Sequence, residues 1–329
     1  MYKVFFITFG CKVNQYETDS MRSEFVSQGF VETDSADDAD IIIINSCTVT
    51  GSGDSKSLYS VRKMRKIAPN AIIALTGCLP QAAPETAAKI PEADIVAGTK
   101  DRRKLPELVR SVIAERRHIV AIDQYGAHDE FELTRFEGAQ DKTRAFVKIQ
   151  DGCNQFCSYC IIPYARGRLR SKPIDALKDE VSRLAQSGRR EIVLVGINLA
   201  FYGVEFGLRL ADAVEVCCKT EGIERVRLGS LEPEILSDED LRRLAALPEL
   251  CPQFHLSLQS GSENTLKAMN RKYTAADYFT LTQKIRAAFP NASFTTDIMV
   301  GFPTETEEDF AESMRFAEKI GFAKIHVFQ

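Results

Sequence analysis

Histidine is scarce in this chain, at four residues in 329, and nowhere do apolar residues run together for the length a membrane span needs. The second absence excludes a transmembrane helix as read from sequence. The N-terminal run Val4-Phe5-Phe6-Ile7-Thr8-Phe9 is also too short for the apolar part of a secretion signal, and it reads as a strand. Low-complexity tracts are missing. So is any excess of positive charge: 42 Lys and Arg stand against 46 Asp and Glu, a net charge of −4, which is not the footprint of an obvious nucleic-acid binder. Cysteine, by contrast, is plentiful. Nine cysteines, an odd number without a signal peptide, argue against a disulfide framework and for a reducing compartment, the cytoplasm. With 44% hydrophobic and 27% charged residues the chain is globular, and its length suggests two domains.

Six of the cysteines form two groups of three. Cys153, Cys157 and Cys160 lie in a tight C-x₃-C-x₂-C loop, and Cys11, Cys47 and Cys78 are spread over the N-terminal third. Each group is one ligand short of a closed tetrahedral site. Thiolates select zinc or iron–sulfur clusters, and three ligands leave one position open. Zinc completed by a histidine is the plainer reading, but none of the four histidines lies near the loop in sequence. Cys217, Cys218 and Cys251 read as packing, the first two within an apolar helical pattern.

The first hundred residues alternate strand and helix. Apolar runs at Val4–Phe9, Ile41–Ile44 and Ile72–Leu75 are separated by helical stretches at Thr18–Ser27 and Ser55–Ile67. Spacings of about 30 residues mark βαβ units and a parallel sheet. Each cysteine of the dispersed group follows a strand, in Phe9-Gly10-Cys11, Asn45-Ser46-Cys47 and Thr76-Gly77-Cys78. Parallel strands present their carboxyl ends along one edge, so three distant thiols converge there.

Residues 1–115 are therefore expected to form a Rossmann-like α/β domain and 116–143 a linker. A second α/β domain, a partial (β/α)₆ barrel, is expected over 144–329. Its strands are Ala145–Gln150, Ile192–Gly196, Val226–Gly229, Phe254–Leu258, Phe294–Val300 and Ile325–Phe328, with helices such as Pro173–Gln186 and Thr306–Ile320 between them. Reactive groups of a parallel barrel sit at the carboxyl ends of its strands. Asp151, Gly196, Asn198, Ser230, Glu232, Gln259 and Asp297 fall there.

The cysteine loop directly follows the first of these strands, as Asp151-Gly152-Cys153-Asn154-Gln155-Phe156-Cys157-Ser158-Tyr159-Cys160. Together with the six-unit pattern and the segment Gly301-Phe302-Pro303, it resembles a radical S-adenosylmethionine (SAM) enzyme. With the N-terminal cysteine domain added, nearly the whole chain resembles the radical SAM methylthiotransferase family. The stretch Gly10-Cys11-Lys12-Val13-Asn14-Gln15-Tyr16-Glu17 is similar to the subgroup acting on tRNA threonylcarbamoyladenosine next to the anticodon. Gly196-Ile197-Asn198-Leu199 and His255-Leu256-Ser257-Leu258-Gln259-Ser260-Gly261-Ser262 agree with it. Enzymes for isopentenyladenosine tRNA or a ribosomal protein are the alternatives within the family. A non-catalytic iron–sulfur electron carrier or scaffold is the alternative outside it.

The resemblance implies two [4Fe–4S] clusters. The Cys153/Cys157/Cys160 cluster would bind SAM, cleave it to methionine and a 5′-deoxyadenosyl radical, and so take hydrogen from carbon 2 of the adenine. The Cys11/Cys47/Cys78 cluster would hold the incoming sulfur, and a second SAM would supply the methyl group. Gly196, Asn198, Ser230, Glu232, Gln259 and Asp297 are the expected SAM contacts, and no residue is assigned a catalytic role apart from the clusters. Arg166, Arg168, Arg170 and Lys172, just past the loop, are expected at the RNA backbone. The implied partners are the tRNA, a flavodoxin- or ferredoxin-like electron donor and a sulfur source, with no membrane. Family members carry glycine where this chain has Thr304, which points to strain in that turn. They also continue into a C-terminal RNA-binding module, expected to be absent from a chain ending at Gln329.

Overall fold

The computed structural model describes residues 1–126, 128–134, 144–234 and 236–329. It divides into two units, Met1–Ala139 with Ile161–Arg168, and Gln140–Cys160 with Leu169–Gln329.

The first unit is built on strands β1 (Lys3–Thr8), β2 (Val31–Glu32), β3 (Ile41–Ser46), β4 (Ile72–Gly77), β5 (Ile95–Ala97) and β6 (Ile119–Ala121). They pair in the order β2-β1-β3-β4-β5-β6, all parallel. The helices are α1 (Lys12–Ser27), α2 (Gly51–Ile67), α3 (Cys78–Ala82), α4 (Pro84–Ala87), α5 (Leu105–Glu115) and, from the second piece of the unit, α6 (Ile162–Arg166). Successive strand residues serve opposite faces. Ile41 and Ile43 pack with Met21 and Phe25 of α1 and Val109 of α5, whereas Ile42 and Ile44 pack with Val61 and Met64 of α2. A sheet covered on both faces demands apolar side chains at consecutive positions, which is why these strands read as unbroken apolar runs. Helix α1 begins six residues before the expected Thr18, because buried Asn14, Glu17 and Thr18 interrupt its apolar period. Strand β6 pairs with β5 inside the segment expected as a linker, of which residues 127 and 135–143 lie outside the described residues.

The second unit carries two parallel sheets and one short antiparallel pair. Strands β7 (Arg144–Lys148), β8 (Gln150–Asp151), β9 (Arg170–Ser171), β10 (Glu191–Val195), β11 (Arg225–Leu228), β12 (Ser230–Leu231), β13 (Gln253–Leu256), β14 (Ser293–Met299) and β15 (Lys324–Phe328) alternate with helices α7 (Ile174–Gln186), α8 (Leu210–Cys218), α9 (Asp238–Ala245), α10 (Glu263–Ala268), α11 (Ala275–Ala288) and α12 (Glu307–Ile320). The sheets run β11-β10-β7 and β12-β13-β14-β15, and β8 pairs with β9. Within each parallel sheet strand neighbours follow chain order, as βα crossovers of one hand produce. The expected barrel strands are thus present as two sheets, which the chain joins through Gly229; Val226 of β11 also makes an isolated parallel bridge with Leu250, ahead of β13. Helix α12 opens on a capping box: Thr306 Oγ1 accepts from Asp309 N at 3.1 Å, and the Asp309 carboxylate accepts from Thr306 N at 3.0 Å. Those bonds and one from Ser262 hold the Asp309 carboxyl well below the usual range. Among the described residues no helix is long and apolar enough to cross a membrane.

Between β14 and α12 the turn Gly301–Glu305 closes with Gly301 N donating to the Glu305 carboxylate at 2.6 Å. Thr304 sits there at φ +82°, a conformation that a β-branched residue adopts only under strain. Thr304→Gly is expected to stabilise this unit by up to about 1 kcal/mol, since relief of ~1–3 kcal/mol of strain is partly offset by the greater freedom of glycine in the unfolded chain. A rise of a few degrees in thermal unfolding by circular dichroism checks this. A fall would show that the threonine side chain contributes more than its backbone costs.

Candidate functional site

In the first unit the thiol positions follow from strand order. Strands β1, β3 and β4 are immediate neighbours, with Thr8 opposite Asn45 and Ser46 opposite Gly77. Cys11 precedes α1, Cys47 follows β3, and Cys78 begins α3. The approach is tight. Gly10 has φ +97°, and a Cβ there would lie 2.8 Å from Cys47 Sγ. Gly77, at φ +102°, would meet Asn45 Oδ1 at 2.6 Å. Only glycine permits both turns.

Asn14 ties the first two turns together. Its Nδ2 donates to Phe9 O at 2.8 Å and to Ser46 O at 2.9 Å, while its Oδ1 accepts from Arg166 Nη2 at 2.7 Å. Arg166 also forms a two-armed ion pair with Glu17, at 2.8 and 2.9 Å. Arg102 Nη2 reaches the same carboxylate at 3.1 Å. All of these groups are buried. Burial pushes the Cys78 thiol up to about 11 and raises Cys47 as well, and in both cases the Arg166 cation pulls the other way.

In the second unit the cysteine loop runs from β8. Cys153 Sγ accepts from Gln155 N at 3.5 Å and from Asn198 Nδ2 at 3.6 Å, and Cys157 Sγ accepts from Arg271 Nη1 at 3.3 Å. Burial raises the Cys153 thiol, and these donors oppose the rise. Of the expected SAM contacts, Asn198 stands beside the loop, with its backbone N donating to Gln150 Oε1 at 2.6 Å and its Oδ1 buried without a partner. Gly196 lies against Gln150, where a Cβ would come within 3.0 Å. Glu232 is ion-paired with Arg271, and burial raises its carboxyl while the guanidinium pulls it back. Gln259, at φ +66°, donates its backbone N to Asp297 O at 2.8 Å. The Asp297 carboxylate faces His255 Nε2 at 3.2 Å, and Ser230 is exposed in β12. A cavity of about 480 Å³ opens beside the loop, lined by Ser158, Tyr159, Ala268, Met299, Phe302 and Thr304 among others. Tyr159 and Phe302 meet edge to face across it, with ring centroids 6.3 Å apart.

The expected basic stretch at the RNA backbone needs correction. Arg166, Arg170 and Lys172 are all buried: Arg166 pairs with Glu17, Arg170 with Asp151 at 3.6 Å, and Lys172 with Glu180. The reason is local structure, since Arg170 lies in β9 against β8 and Arg166 ends α6 in the first unit. Arg168 alone of the four is exposed.

Arg271, Gln150 and Arg102 escaped the sequence reading. Arg271 lies in Met269-Asn270-Arg271-Lys272, which has no metal or phosphate spacing. Asn14 and Glu17 escaped it too, because the helix expected from sequence begins at Thr18, beyond both.

Among the described residues no three His, Cys, Asp or Glu side chains close on one point as a single metal ion requires. The fit to a cluster rests on donor chemistry. All nine cysteines are free thiols, and N–H groups are directed at the loop sulfurs, the hydrogen bonds by which proteins tune iron–sulfur centres. The fold and the loop fit a class, α/β proteins whose three-cysteine loop is able to hold an iron–sulfur cluster.

Comparison with known proteins narrows the class. The Radical SAM superfamily matches residues 147–317, and a family described as Uncharacterized protein family UPF0004 matches residues 3–98. The chain is 37% identical to the threonylcarbamoyladenosine tRNA methylthiotransferase MtaB of Aquifex aeolicus, over 99% of this chain and 80% of that protein. It is also 37% identical to the tRNA-2-methylthio-N(6)-dimethylallyladenosine synthase of Clostridium novyi, over 99% of this chain and 74% of that one. Among solved structures, the radical SAM methyltransferase TsrM of Kitasatospora setae superposes with a TM-score of 0.73 at 13% identity, covering 100% of this chain and 73% of that one, a likeness of fold. The chain belongs to the radical SAM methylthiotransferase family.

Burial of Arg166 sets one expectation. Arg166→Met should destabilise the protein by about 3 kcal/mol, the lower end for breaking a buried pair, because Arg102 still faces Glu17. The salt dependence of RNA binding should not change, and urea unfolding with filter binding across a salt series reads both. A shallower salt slope in the variant would return Arg166 to the RNA interface.

Proposed function

We propose that this enzyme adds a methylthio group to carbon 2 of threonylcarbamoyladenosine next to the anticodon of tRNA. One observation carries the substrate reading: the stretch Gly10–Glu17, which is similar to the subgroup of that specificity, contributes Cys11, Asn14, whose side chain holds the turn before it through Phe9 O, and Glu17, which pairs with Arg166. The dimethylallyladenosine substrate is the second reading, favoured by a relative of equal identity bearing that name.

When bound, a [4Fe–4S] cluster with SAM would supply the one-electron chemistry by which hydrogen is taken from an unactivated carbon. Cys153, Cys157 and Cys160 would hold that cluster. Asn198 offers a buried Oδ1 with no partner, and with Gly196, Ser230, Gln259 and Asp297 it would orient SAM. Glu232 joins them only through whatever capacity its pairing with Arg271 leaves. The cavity beside the loop is within the usual range for a ligand site, and its lining is largely apolar. Cys11, Cys47 and Cys78 would hold a second cluster and with it the sulfur to be inserted. A flavodoxin- or ferredoxin-like reductant and a sulfur source complete the reaction in the cytoplasm.

Three experiments test this. Alanine at Cys153, Cys157 or Cys160 should abolish formation of 5′-deoxyadenosine from SAM and dithionite, whereas alanine at Cys11, Cys47 or Cys78 should leave it and stop thiolation. Anaerobic reconstitution should give about eight irons per chain, and about four would refute the second cluster. Mass spectrometry of tRNA nucleosides from a deletion strain should show the 2-methylthio form of threonylcarbamoyladenosine missing. Loss of the isopentenyl analogue or of a ribosomal-protein methylthio group instead would assign the enzyme to another substrate.

A further inference from the structure

Four hydrogen bonds join the cysteine loop to one short stretch from the last residue of α10 onward. Ser158 N donates to Met269 O at 3.0 Å and Ser158 Oγ to Ala268 O at 2.9 Å. Asn270, at φ +57°, donates its Nδ2 to Phe156 O at 2.9 Å. Arg271 Nη1 donates to Cys157 Sγ at 3.3 Å. Residues 268–271 thus clasp residues 156–158, and the contact at the thiol itself comes from a cation.

That cation is held on every side. Its side chain is 4% exposed. Nη2 is bonded to the Glu232 carboxylate, Nε donates to Tyr273 Oη at 3.2 Å, and the guanidinium lies 4.9 Å from the Tyr273 ring centroid. Tyr273 is fixed in turn by donating to Leu258 O at 2.6 Å and Ser257 O at 2.8 Å. Only a planar fork can address a carboxylate with one nitrogen and a sulfur with the other. A lysine is a single point charge.

We propose that Arg271 is a positioning residue for the loop cluster, directing an N–H and a positive charge at the Cys157 sulfur to raise the cluster's reduction potential, with Glu232 as the counter-charge that limits the rise. The proposal rests on the reading that the loop trio holds a [4Fe–4S] cluster. Adding one electron to that cluster makes it and its thiolates more negative, and a hydrogen bond with a cation at sulfur favours the more negative state. Removing the donor should therefore make the potential more negative. Removing the counter-charge should do the opposite.

The test uses the full chain with Cys11, Cys47 and Cys78 changed to alanine, so that only the loop trio remains to bind iron. After anaerobic reconstitution without SAM, dithionite titration followed by electron paramagnetic resonance gives the midpoint potential. Arg271→Met and Arg271→Lys should shift it to more negative values at unchanged iron content, and Glu232→Gln should shift it to less negative values. Should Arg271→Met fail to fold or load, the lysine and glutamine variants carry the comparison. Loaded variants whose potentials match the parent, or shift in one direction together, would overturn the proposal alone. A parent that takes up no cluster would overturn the reading beneath it.

Discussion

A parallel strand delivers the loop that follows it to one end of the sheet only, and both units are organised by that constraint. In the first unit β1, β3 and β4 lie side by side, so residues separated by more than thirty positions emerge together. The strand ends at this edge carry Asn45, Ser46 and Thr76, all buried, where the middles carry isoleucine and leucine. Each finds backbone partners: Ser46 Oγ donates to Thr76 O at 2.6 Å and Thr76 Oγ1 to Gly98 O at 2.9 Å, while Asn45 Nδ2 donates to Asn14 O at 3.0 Å. An unpaired polar group at such depth costs ~1–3 kcal/mol, so these bonds hold the turns that bear the thiols rather than decorate them. The second unit repeats the arrangement, with Asn198, Glu232 and Gln259 following β10, β12 and β13.

Backbone strain gathers where the chain turns back toward the cysteine loop. Among the described residues of the second unit, Phe156 (φ +50°), Gln259 (+66°), Asn270 (+57°) and Thr304 (+82°) are those other than glycine with positive φ. Phe156 lies within the loop, Asn270 in the clasp and Thr304 on the cavity wall. Each costs ~1–3 kcal/mol unless surrounding bonds over-determine it. For Asn270 that bond is visible, from its side chain to Phe156 O. Such spending is expected where geometry serves chemistry rather than stability.

What could be read from sequence and what could not divides along the same physics. Strands β1, β3 and β4 announce themselves because a sheet buried on both faces needs an unbroken apolar run, and the strand-end cysteines then follow from topology. Position 166 could not be read. Its neighbours Arg168, Arg170 and Lys172 make a local pattern that on most surfaces is solvated, and nothing in that pattern says that Glu17, 149 positions earlier, takes the guanidinium. Buried ion pairs between distant segments leave no periodic trace. The missing first turns of α1 have a similar cause, for Asn14 and Glu17 look like solvent-facing residues until their partners are known. Arg271 was hidden because a donor to sulfur requires no spacing of its own.

Each trio has a buried arginine paired with a glutamate near it, Arg166 with Glu17 and Arg271 with Glu232. The pairing is a poor choice for stability, since two ions stripped of water seldom recover their full hydration. It is a sensible choice for thiolates. Three negative sulfurs at one strand edge repel one another, and a cation about 4 Å away offsets that by a few kcal/mol at the effective dielectric of a protein site. A bare buried arginine would be prohibitive while the thiols are still protonated, and burial raises Cys47, Cys78 and Cys153 toward that form. The glutamate offsets the guanidinium charge while the thiols are protonated. The two trios use this device differently. Arg271 touches Cys157 through a hydrogen bond, whereas Arg166 acts on Cys47 and Cys78 through space and bonds Glu17 and Asn14, the latter holding the turns on which Cys11 and Cys47 stand. One arginine therefore bears on the electronics of its thiols and the other mainly on their positions.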